Sequence, residues 1–358
     1  MQDPILLSAV KPLCAWYEKN KKSYPWRESR DPYRIWISEV MLQQTRTAAV
    51  LPYYERFLSA FPNVAALAAA DDDHLMKLWE GLGYYSRARN LKKGAMQVME
   101  CFGGALPRTK AELRKIAGIG DYTAGAIASM AFGEPSSAVD GNVLRVCMRL
   151  LGSDADISKE ATKKALAAEL DAVYPSGHEA ALLTEGLMEL GEAVCIPGGE
   201  PRCAACPLSS VCEARKGGIA HLLPMKSAKK PRKILKRTLW IFVLPDGRFC
   251  IQKRGEKGLL AGLYEFAAEE KALSESEARE HLLSEGISFT ALSPIGEAVH
   301  VFTHLEWHMT GYLVRLCEPL AGMTLATKEE LSTVYALPSA FRYFKQYIEK
   351  TKFKKESL

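Results

Sequence analysis

The spacing of apolar residues predicts that the N-terminal part of the chain is helical. Residues 5–20 and 34–50 carry apolar side chains at intervals of three and four positions, the pattern of an amphipathic helix. Residues 158–190 repeat this pattern in two segments. Pro25 disfavours helical backbone at the preceding residue, so we predict a turn between the first two helices.

After residue 238 the pattern changes to short apolar runs. The runs 239–244 and 249–251 flank Pro245-Asp246-Gly247 and predict a hairpin of two strands. We also predict a helix near 274–285 and strands near 297–303 and 307–316. A mainly α region is therefore followed by a smaller α/β region.

Two glycines interrupt a helical pattern in the middle of the chain. Gly118-Ile119-Gly120 follows apolar Leu113 and Ile116, and a second apolar segment begins near Thr123. Glycines this close together predict a helix, a tight turn and a helix. The backbone N–H groups at the start of the second helix have no partner within it, so they favour an anion such as a phosphate.

Two carboxylic residues are candidates for catalysis. Glu39 lies within the apolar run of 34–50, and burial there would raise its pKa and let it act as a general acid. The ordinary alternative is a Glu on a solvated helix face. Asp140 precedes another apolar helical pattern, where an Asp ordinarily serves only as an N-cap.

The cysteines favour a metal centre over disulfides. The chain has nine cysteines and shows neither an export signal nor an apolar run that would span a membrane, so we expect an intracellular protein. Cys195, Cys203, Cys206 and Cys212 are separated by seven, two and five residues. Four thiolates suit either a [4Fe–4S] cluster or structural zinc, and the uneven spacing favours iron–sulfur.

Positive charge is concentrated in one stretch. The net charge is only +5, but residues 226–237 hold seven Lys or Arg and no acidic residue. Such a run suits nucleic acid, although a solvated linker has the same composition.

Several motifs together resemble one family, the helix-hairpin-helix–Gly/Pro–Asp base-excision glycosylases. The glycine turn precedes Asp140, and the intervening loop carries Gly133 and Pro135. Tyr24-Pro25-Trp26-Arg27 and the string Ser38 to Thr45 resemble its adenine-specific MutY branch. The resemblance extends over nearly the whole chain.

The resemblance implies a fold and a cofactor. A helix-hairpin-helix glycosylase domain, a six-helix barrel plus an iron–sulfur subdomain, would occupy residues 1–216, with the [4Fe–4S] loop at 195–212. A basic linker at 217–237 would lead to an α/β Nudix-like domain at 238–350. The helix near 274–285 lacks the paired glutamates of a Nudix hydrolase, so this domain should recognise its ligand without hydrolysing it.

The resemblance also implies the roles of individual residues. Glu39 would protonate the adenine, Asp140 would stabilise the cationic sugar, and Asn142 and Tyr122 would hold the geometry. Tyr84 would be the wedge beside the lesion. The remaining expected contacts to DNA or the extruded base are Trp26, Arg27, Gln44, Thr45, Arg87, Gly118, Gly120, Glu185, Phe302, Thr303 and His304.

The sequence departs from the family pattern at three places. Ala117 replaces the usual Pro of the turn, the loop between Cys195 and Cys203 has one extra residue, and Thr303 replaces a Ser. At residue 122 the related endonuclease III type carries a Lys that forms a Schiff base with the sugar. A Tyr cannot form that imine, so we expect base removal without an efficient lyase step.

The implied activity is that of a monofunctional glycosylase removing adenine opposite 8-oxoguanine, and more weakly opposite guanine. Duplex DNA with such a mismatch is the expected partner, and other repair proteins are further candidates. We expect a monomer in the cytoplasm, associated with a bacterial nucleoid. Two alternatives are a bifunctional lyase acting on oxidised pyrimidines and a non-catalytic damage binder with a zinc centre.

Overall fold

The computed structural model describes residues 2–228 and 231–351, so Lys229 and Lys230 of the basic run lie outside the described residues. The chain forms two compact units. The helical unit comprises the described residues up to Ala69 together with Asn90–Ala228. The sheet unit comprises Ala70–Arg89 and the described residues from 231 onward.

Helices dominate the first part of the chain, as predicted. Their bounds are α1 Pro4–Asn20, α2 Pro32–Leu42, α3 Thr47–Ala60, α4 Val64–Ala68, α5 Asp72–Trp79, α6 Ser86–Cys101, α7 Lys110–Leu113, α8 Asp121–Phe132, α9 Gly141–Leu150, α10 Glu160–Asp171, α11 His178–Ala193 and α12 Glu213–Lys216.

The single helix predicted over 34–50 is wrong beyond Leu42. Helix α2 begins after the N-cap Asp31, with Pro32 in its first turn, and ends at Leu42. Gln44 then adopts a φ of 59°, which breaks the helical path, and α3 starts at Thr47. The apolar spacing continues through the break, so periodicity alone could not locate it.

Helix α11 lies at the centre of the helical unit and packs against α1, α8 and α9. Leu13 and Tyr17 of α1 contact Gly186 of α11, where an added Cβ would lie 3.2 Å from the Leu13 side chain. Gly125 of α8 lies so close to the backbone carbonyl of Ser137 that a Cβ there would lie 2.0 Å from the oxygen. Gly186 thus permits the close packing of α1 on α11, and Gly125 permits that of the segment before Asp140 on α8.

The sheet unit contains a mixed sheet with strand order β3-β2-β1-β6-β5. Its elements are β1 Lys233–Val243, β2 Phe249–Lys253, β3 Tyr264–Glu265, β4 Ala267–Glu269, α13 Glu275–Ser284, β5 Phe289–Val301, β6 Leu305–Leu316, β7 Thr324–Ala326, α14 Lys328–Thr333 and α15 Arg342–Lys350. Strands β1 and β6 are parallel, and β5 and β6 form a long antiparallel hairpin. β1 begins at Lys233, inside the stretch predicted to be a linker.

Two apolar clusters stabilise this sheet. One contains Trp307 of β6 with Phe341 and Phe344 at the start of α15, and the other contains Trp240 and Tyr312 with residues of α13. The strand predicted near 297–303 starts earlier, at Phe289, and ends at Val301. Residues 302–304 therefore form the exposed end of the β5–β6 hairpin, where Phe302 N–H donates to the Leu305 carbonyl at 2.8 Å.

Among the described residues, no helix combines the length and apolar character needed to cross a membrane.

Candidate active site

A cavity of about 1150 Å³ opens into the helical unit. Its lining comes from the turn after α1, from α2 and the break after it, from the glycine turn, from α8 and the start of α9, and from α11. The predicted site residues that line it are Trp26, Arg27, Glu39, Gln44, Thr45, Gly118, Gly120, Tyr122, Asp140, Asn142 and Glu185.

Glu39 is buried, as predicted, with only 5% of the residue exposed. Its neighbours on α2, including Ile37, Val40 and Met41, are also buried. Burial raises the pKa of Glu39 from 4.5 to about 7, and the nearby Asp140 carboxylate adds to the shift. A carboxyl with this pKa is substantially protonated near neutral pH and can donate a proton.

Tyr122 holds one oxygen of that carboxyl. Its hydroxyl donates to Glu39 Oε2 at 2.6 Å, across 83 residues of sequence. This hydrogen bond counters part of the effect of burial on the Glu39 pKa. Because Oε2 accepts from the phenol, the exchangeable proton of Glu39 is left to Oε1.

Asp140 is both an N-cap and a component of the cavity wall. Its Oδ1 accepts from the backbone N–H groups of Asn142 and Val143, each at 2.8 Å, and its Oδ2 accepts from Asn142 Nδ2 at 2.9 Å. Burial raises its pKa, and these hydrogen bonds oppose the rise. Hydrogen bonds to the charged form favour ionisation, so the cap holds a carboxylate in a fixed orientation.

Arg145 supports this arrangement, although the sequence did not single it out. Its Nη2 donates to Asn142 Oδ1 at 2.8 Å and to the Gly191 carbonyl at 2.6 Å, and its Nε donates to the Cys195 carbonyl at 2.7 Å. The signal available in sequence was a cation three positions after Asn142 on a mostly apolar helix.

Trp26 and Arg27 occupy one wall of the cavity. Trp26 is buried, lies parallel to Tyr24 at 5.0 Å between centroids, and meets Tyr54 edge-on at 5.2 Å. Arg27 Nη1 donates to Glu189 Oε2 at 2.7 Å, and its guanidinium lies over the Tyr24 ring. Both side chains are therefore fixed by packing.

Three further charged residues form ion pairs next to this wall, and the sequence did not point to them. Buried Glu189 also pairs with Lys22 at 2.8 Å. Glu185 is buried and pairs with Arg30, with 2.8 Å between Oε1 and Nη1. No local pattern marked Lys22, Arg30 or Glu189, because each acts through a partner distant in sequence.

The glycine turn presents an open helix start. Gly118 has a φ of 79°, and an added Cβ would lie 2.7 Å from Asn90 Cβ. Gly120 is the N-cap of α8 and provides no side chain to cap it. Opposite this start, Gln43 Nε2 donates to Thr123 Oγ1 at 3.1 Å, while Gln44 and Thr45 lie on the break between α2 and α3.

The other predicted DNA contacts lie in the sheet unit. Tyr84 is 45% exposed and has a φ of 47°, and its hydroxyl lies 3.2 Å from Thr303 Oγ1. Thr303 and His304 are exposed, whereas Phe302 packs edge-on against Trp307 at 4.9 Å.

Arg87 is half-buried and contacts the protein itself. Its Nη2 donates to the carbonyls of Leu82 and Gly83 at 3.3 and 3.1 Å, and its guanidinium lies over the rings of Trp79 and Tyr84. Burial lowers its pKa to about 10. The guanidinium thus braces the loop that carries Tyr84.

The four predicted cysteine ligands line a second, small cavity of the helical unit, of about 30 Å³. Arg149 Nη1 donates to Cys195 Sγ at 3.3 Å. Gly198 and Gly199 both adopt positive φ in the loop between Cys195 and Cys203, which closes through an Arg202 N–H bond to the Val194 carbonyl at 2.9 Å. In the part of the chain that is described, no three His, Cys, Asp or Glu side chains already converge at metal-binding spacing.

Comparisons with known proteins agree with this architecture. Residues 37–171 match the model of the HhH-GPD superfamily of base excision DNA repair proteins, and residues 238–347 match the NUDIX domain. The chain is similar to a thermostable thymine-DNA glycosylase of known structure, with a TM-score of 0.54 and 27% identity over 60% of this chain and 97% of the other.

Curated relatives extend over most of the chain. The human adenine DNA glycosylase is 33% identical over 94% of this chain and 73% of its own length. The enzyme of the same name from Buchnera aphidicola of Acyrthosiphon pisum is 32% identical over 84% of this chain and 85% of its own length. The chain therefore belongs to the adenine DNA glycosylase family and is a base-excision repair enzyme, which rules out the interpretation as a non-catalytic damage binder.

Proposed function

We propose that this glycosylase removes adenine paired with 8-oxoguanine, and more slowly adenine paired with guanine, and that it leaves an abasic site without cutting the strand. The observation that carries the proposal is the buried Glu39 carboxyl, held by Tyr122 in a cavity that also contains Asp140. Neutral, proton-donating Glu39 and ionised Asp140 form the pair of carboxylic groups that cleavage of a glycosidic bond requires.

Glu39 is the proposed general acid. Its Oε1 proton passes to N7 of the extruded adenine, and the electrons of the glycosidic bond move onto the base as the bond breaks. Protonation converts a poor leaving group into a neutral one. The raised pKa of Glu39 supports this role because the acid remains protonated near neutral pH.

Asp140 stabilises the positive charge that develops on the sugar, or traps the sugar covalently before water attacks. Its hydrogen bonds from Asn142 and from the start of α9 fix the carboxylate before the reaction begins. Preorganised charge of this kind is more effective in a water-poor cavity than in solvent. Water then supplies the hydroxyl group of the abasic sugar.

The aromatic and polar wall suits an extruded purine. Trp26 offers a flat apolar surface, and Arg27 and Glu185 offer a donor and an acceptor for the base edge. Tyr84 and Gln44 would each enter the base stack of the duplex, and Thr45 and Arg87 would also contact the DNA. The N–H groups at Gly118 and Gly120 would hold a phosphate.

The opposite base is assigned to the hairpin end of the sheet unit. Thr303 and His304 are exposed there, and Phe302 is anchored by Trp307. The Thr303 hydroxyl and the His304 ring can exchange hydrogen bonds with the edge of an oxidised guanine. Packing of Phe302 against Trp307 would hold the Thr303 and His304 side chains in a fixed position at the end of the hairpin.

We further propose that Cys195, Cys203, Cys206 and Cys212 hold one [4Fe–4S] cluster. Four thiols around one cavity have the donor chemistry of such a cluster, and the two left-handed glycines let the longer loop reach it. A bound cluster would supply structural order to this loop. Arg149 would donate to a cysteine sulfur, a contact that stabilises thiolate charge.

The test is a comparison of single-turnover excision rates for one labelled duplex with adenine opposite 8-oxoguanine, guanine or cytosine. The proposal predicts the fastest excision opposite 8-oxoguanine, slower excision opposite guanine and the slowest opposite cytosine. Thr303→Ala and His304→Ala should reduce the first rate more than the second. Equal rates in the wild type for all three pairs would refute the assignment of 8-oxoguanine.

A further inference from the structure

Several side chains hydrogen-bond to the backbone of the loop that carries Tyr84. Trp79 Nε1 donates to the Gly83 carbonyl at 3.1 Å, and Tyr85 OH accepts from the Gly81 N–H at 3.2 Å. Arg87 donates to the same Gly83 carbonyl and to that of Leu82. Gly81 and Gly83 both have positive φ, which permits the tight path. Tyr84 is exposed at one side of this loop, and Glu80 lies at its base, directly after α5.

Glu80 is held by two lysines of the sheet unit. Lys77 Nζ lies 2.5 Å from Glu80 Oε2, and Lys345 Nζ of α15 lies 3.0 Å from Oε1. The three side chains are only 14%, 18% and 19% exposed, in the order Lys77, Glu80, Lys345. Shielded ion pairs are screened less by solvent than exposed ones, and removing one partner leaves a poorly solvated charge.

Lys77 also joins α5 to the end of α14. Its Nζ donates to the carbonyls of Tyr335 at 3.1 Å and Leu331 at 3.4 Å. A second group of contacts lies at the other end of α5, where Asp73 pairs with Lys253 at 2.5 Å and accepts from Tyr264 OH at 3.3 Å. The segment from Ala70 to Arg89 is thus attached to the strands and helices that follow residue 231.

We propose that Lys345 and Lys77 are positioning residues for the wedge: through Glu80 they fix Tyr84 relative to the hairpin that carries Thr303 and His304. This inference rests on the proposed function, because it concerns how strongly recognition of the opposite base is coupled to insertion of the wedge. Neither lysine touches the reacting atoms. Loss of the contact to Glu80 should therefore reduce selectivity for the oxidised base more than basal excision.

The first test uses Lys345→Met, which keeps most of the unbranched apolar side chain and removes its charge. We expect single-turnover excision opposite 8-oxoguanine to fall about tenfold, within the usual range of coupling between two sites, and excision opposite guanine to fall less. Lys345→Arg should restore the ratio. Lys350→Ala is the matched control because Lys350 is an exposed cation on the same helix.

Three outcomes would overturn the inference. Rates in Lys345→Met equal to wild type would do so, as would a fall of both rates by the same factor. An equal effect in Lys350→Ala would show that only the overall charge matters. Should Lys345→Met fail to fold, Glu80→Gln removes the same ion pair from the other side.

A second measurement needs no DNA and separates this inference from the proposed function. Hydrogen exchange of the amides at 81–85 should be about tenfold faster in Lys345→Met than in wild type or Lys350→Ala, because local opening becomes easier. Unchanged exchange would overturn the positioning role whatever base the enzyme prefers. A wild type without preference for 8-oxoguanine would instead refute the proposed substrate.

Discussion

Replacing Glu39 with Gln changes one proton-donating group and little else in the shape of the cavity. The amide oxygen can still accept from the Tyr122 hydroxyl, which lies 2.6 Å from Glu39 Oε2 in the wild type. The amide neither ionises nor transfers a proton to adenine. We therefore expect excision to fall about a hundredfold or more, as for loss of a general acid, while mismatched DNA is still bound.

At pH values above 7, the same substitution should make the fold more stable relative to the wild type than it is at pH 5. Burial raises the pKa of Glu39 from 4.5 to about 7. The folded state thus binds this proton more tightly than the unfolded state, so the associated stabilisation is complete below pH 4.5 and is lost as the pH rises to 7. For these two pKa values, the unfolding free energy of the wild type should fall by about 2–3 kcal/mol relative to that of the variant between pH 5 and pH 8.

The assay is urea unfolding of both proteins, followed by circular dichroism at several values between pH 5 and pH 8. The difference in unfolding free energy, variant minus wild type, should rise with pH and level off above 7. A difference that does not depend on pH would refute the burial argument. Normal excision by the variant would refute the role of Glu39 as the acid.

Four further predictions concern the site and the proposed cluster. Asp140→Asn keeps an acceptor for the start of α9 but removes the charge, so excision should fall about a hundredfold while DNA binding, measured by gel shift, is retained. The wild-type excision rate should decline above about pH 7, where Glu39 loses its proton. Tyr122→Phe removes a hydrogen bond that lowers the Glu39 pKa, so the excision rate of this variant should decline at a higher pH than that of the wild type. A decline at lower pH would contradict the role of this hydrogen bond. Tyr122→Lys should add strand nicking with an imine that borohydride traps, and absence of a trapped complex would show that residue 122 alone does not set the chemistry. Cys203→Ser should lower the iron and sulfide content of the purified protein, and zinc in the wild type in place of iron would contradict the cluster assignment.

The sequence was informative wherever function depends on local pattern. Burial of Glu39 followed from the apolar residues on either side of it, and the glycine turn followed from Gly118 and Gly120. The α/β character of the C-terminal region followed from short apolar runs around a turn. These features depend on neighbouring residues, so a pattern within a few positions is enough to predict them.

Other features depend on contacts between distant residues. The bond from Tyr122 to Glu39 spans 83 positions, and the pair of Arg30 with Glu185 spans 155. The break at Gln44 was missed because backbone conformation, not hydrophobicity, ends the helix there. Grouping of Ala70–Arg89 with the C-terminal strands could not be predicted either, because it depends on contacts between segments far apart in sequence, among them the ion pair of Glu80 with Lys345.

The most direct test of the account is single-turnover cleavage of a labelled duplex with adenine opposite 8-oxoguanine, analysed with and without alkali. Tyr122 cannot form an imine with the sugar, so we expect a free base and an intact strand that breaks only after alkali. Strand cleavage at the same rate without alkali would contradict the monofunctional mechanism. Absence of base release would contradict the proposed roles of Glu39 and Asp140.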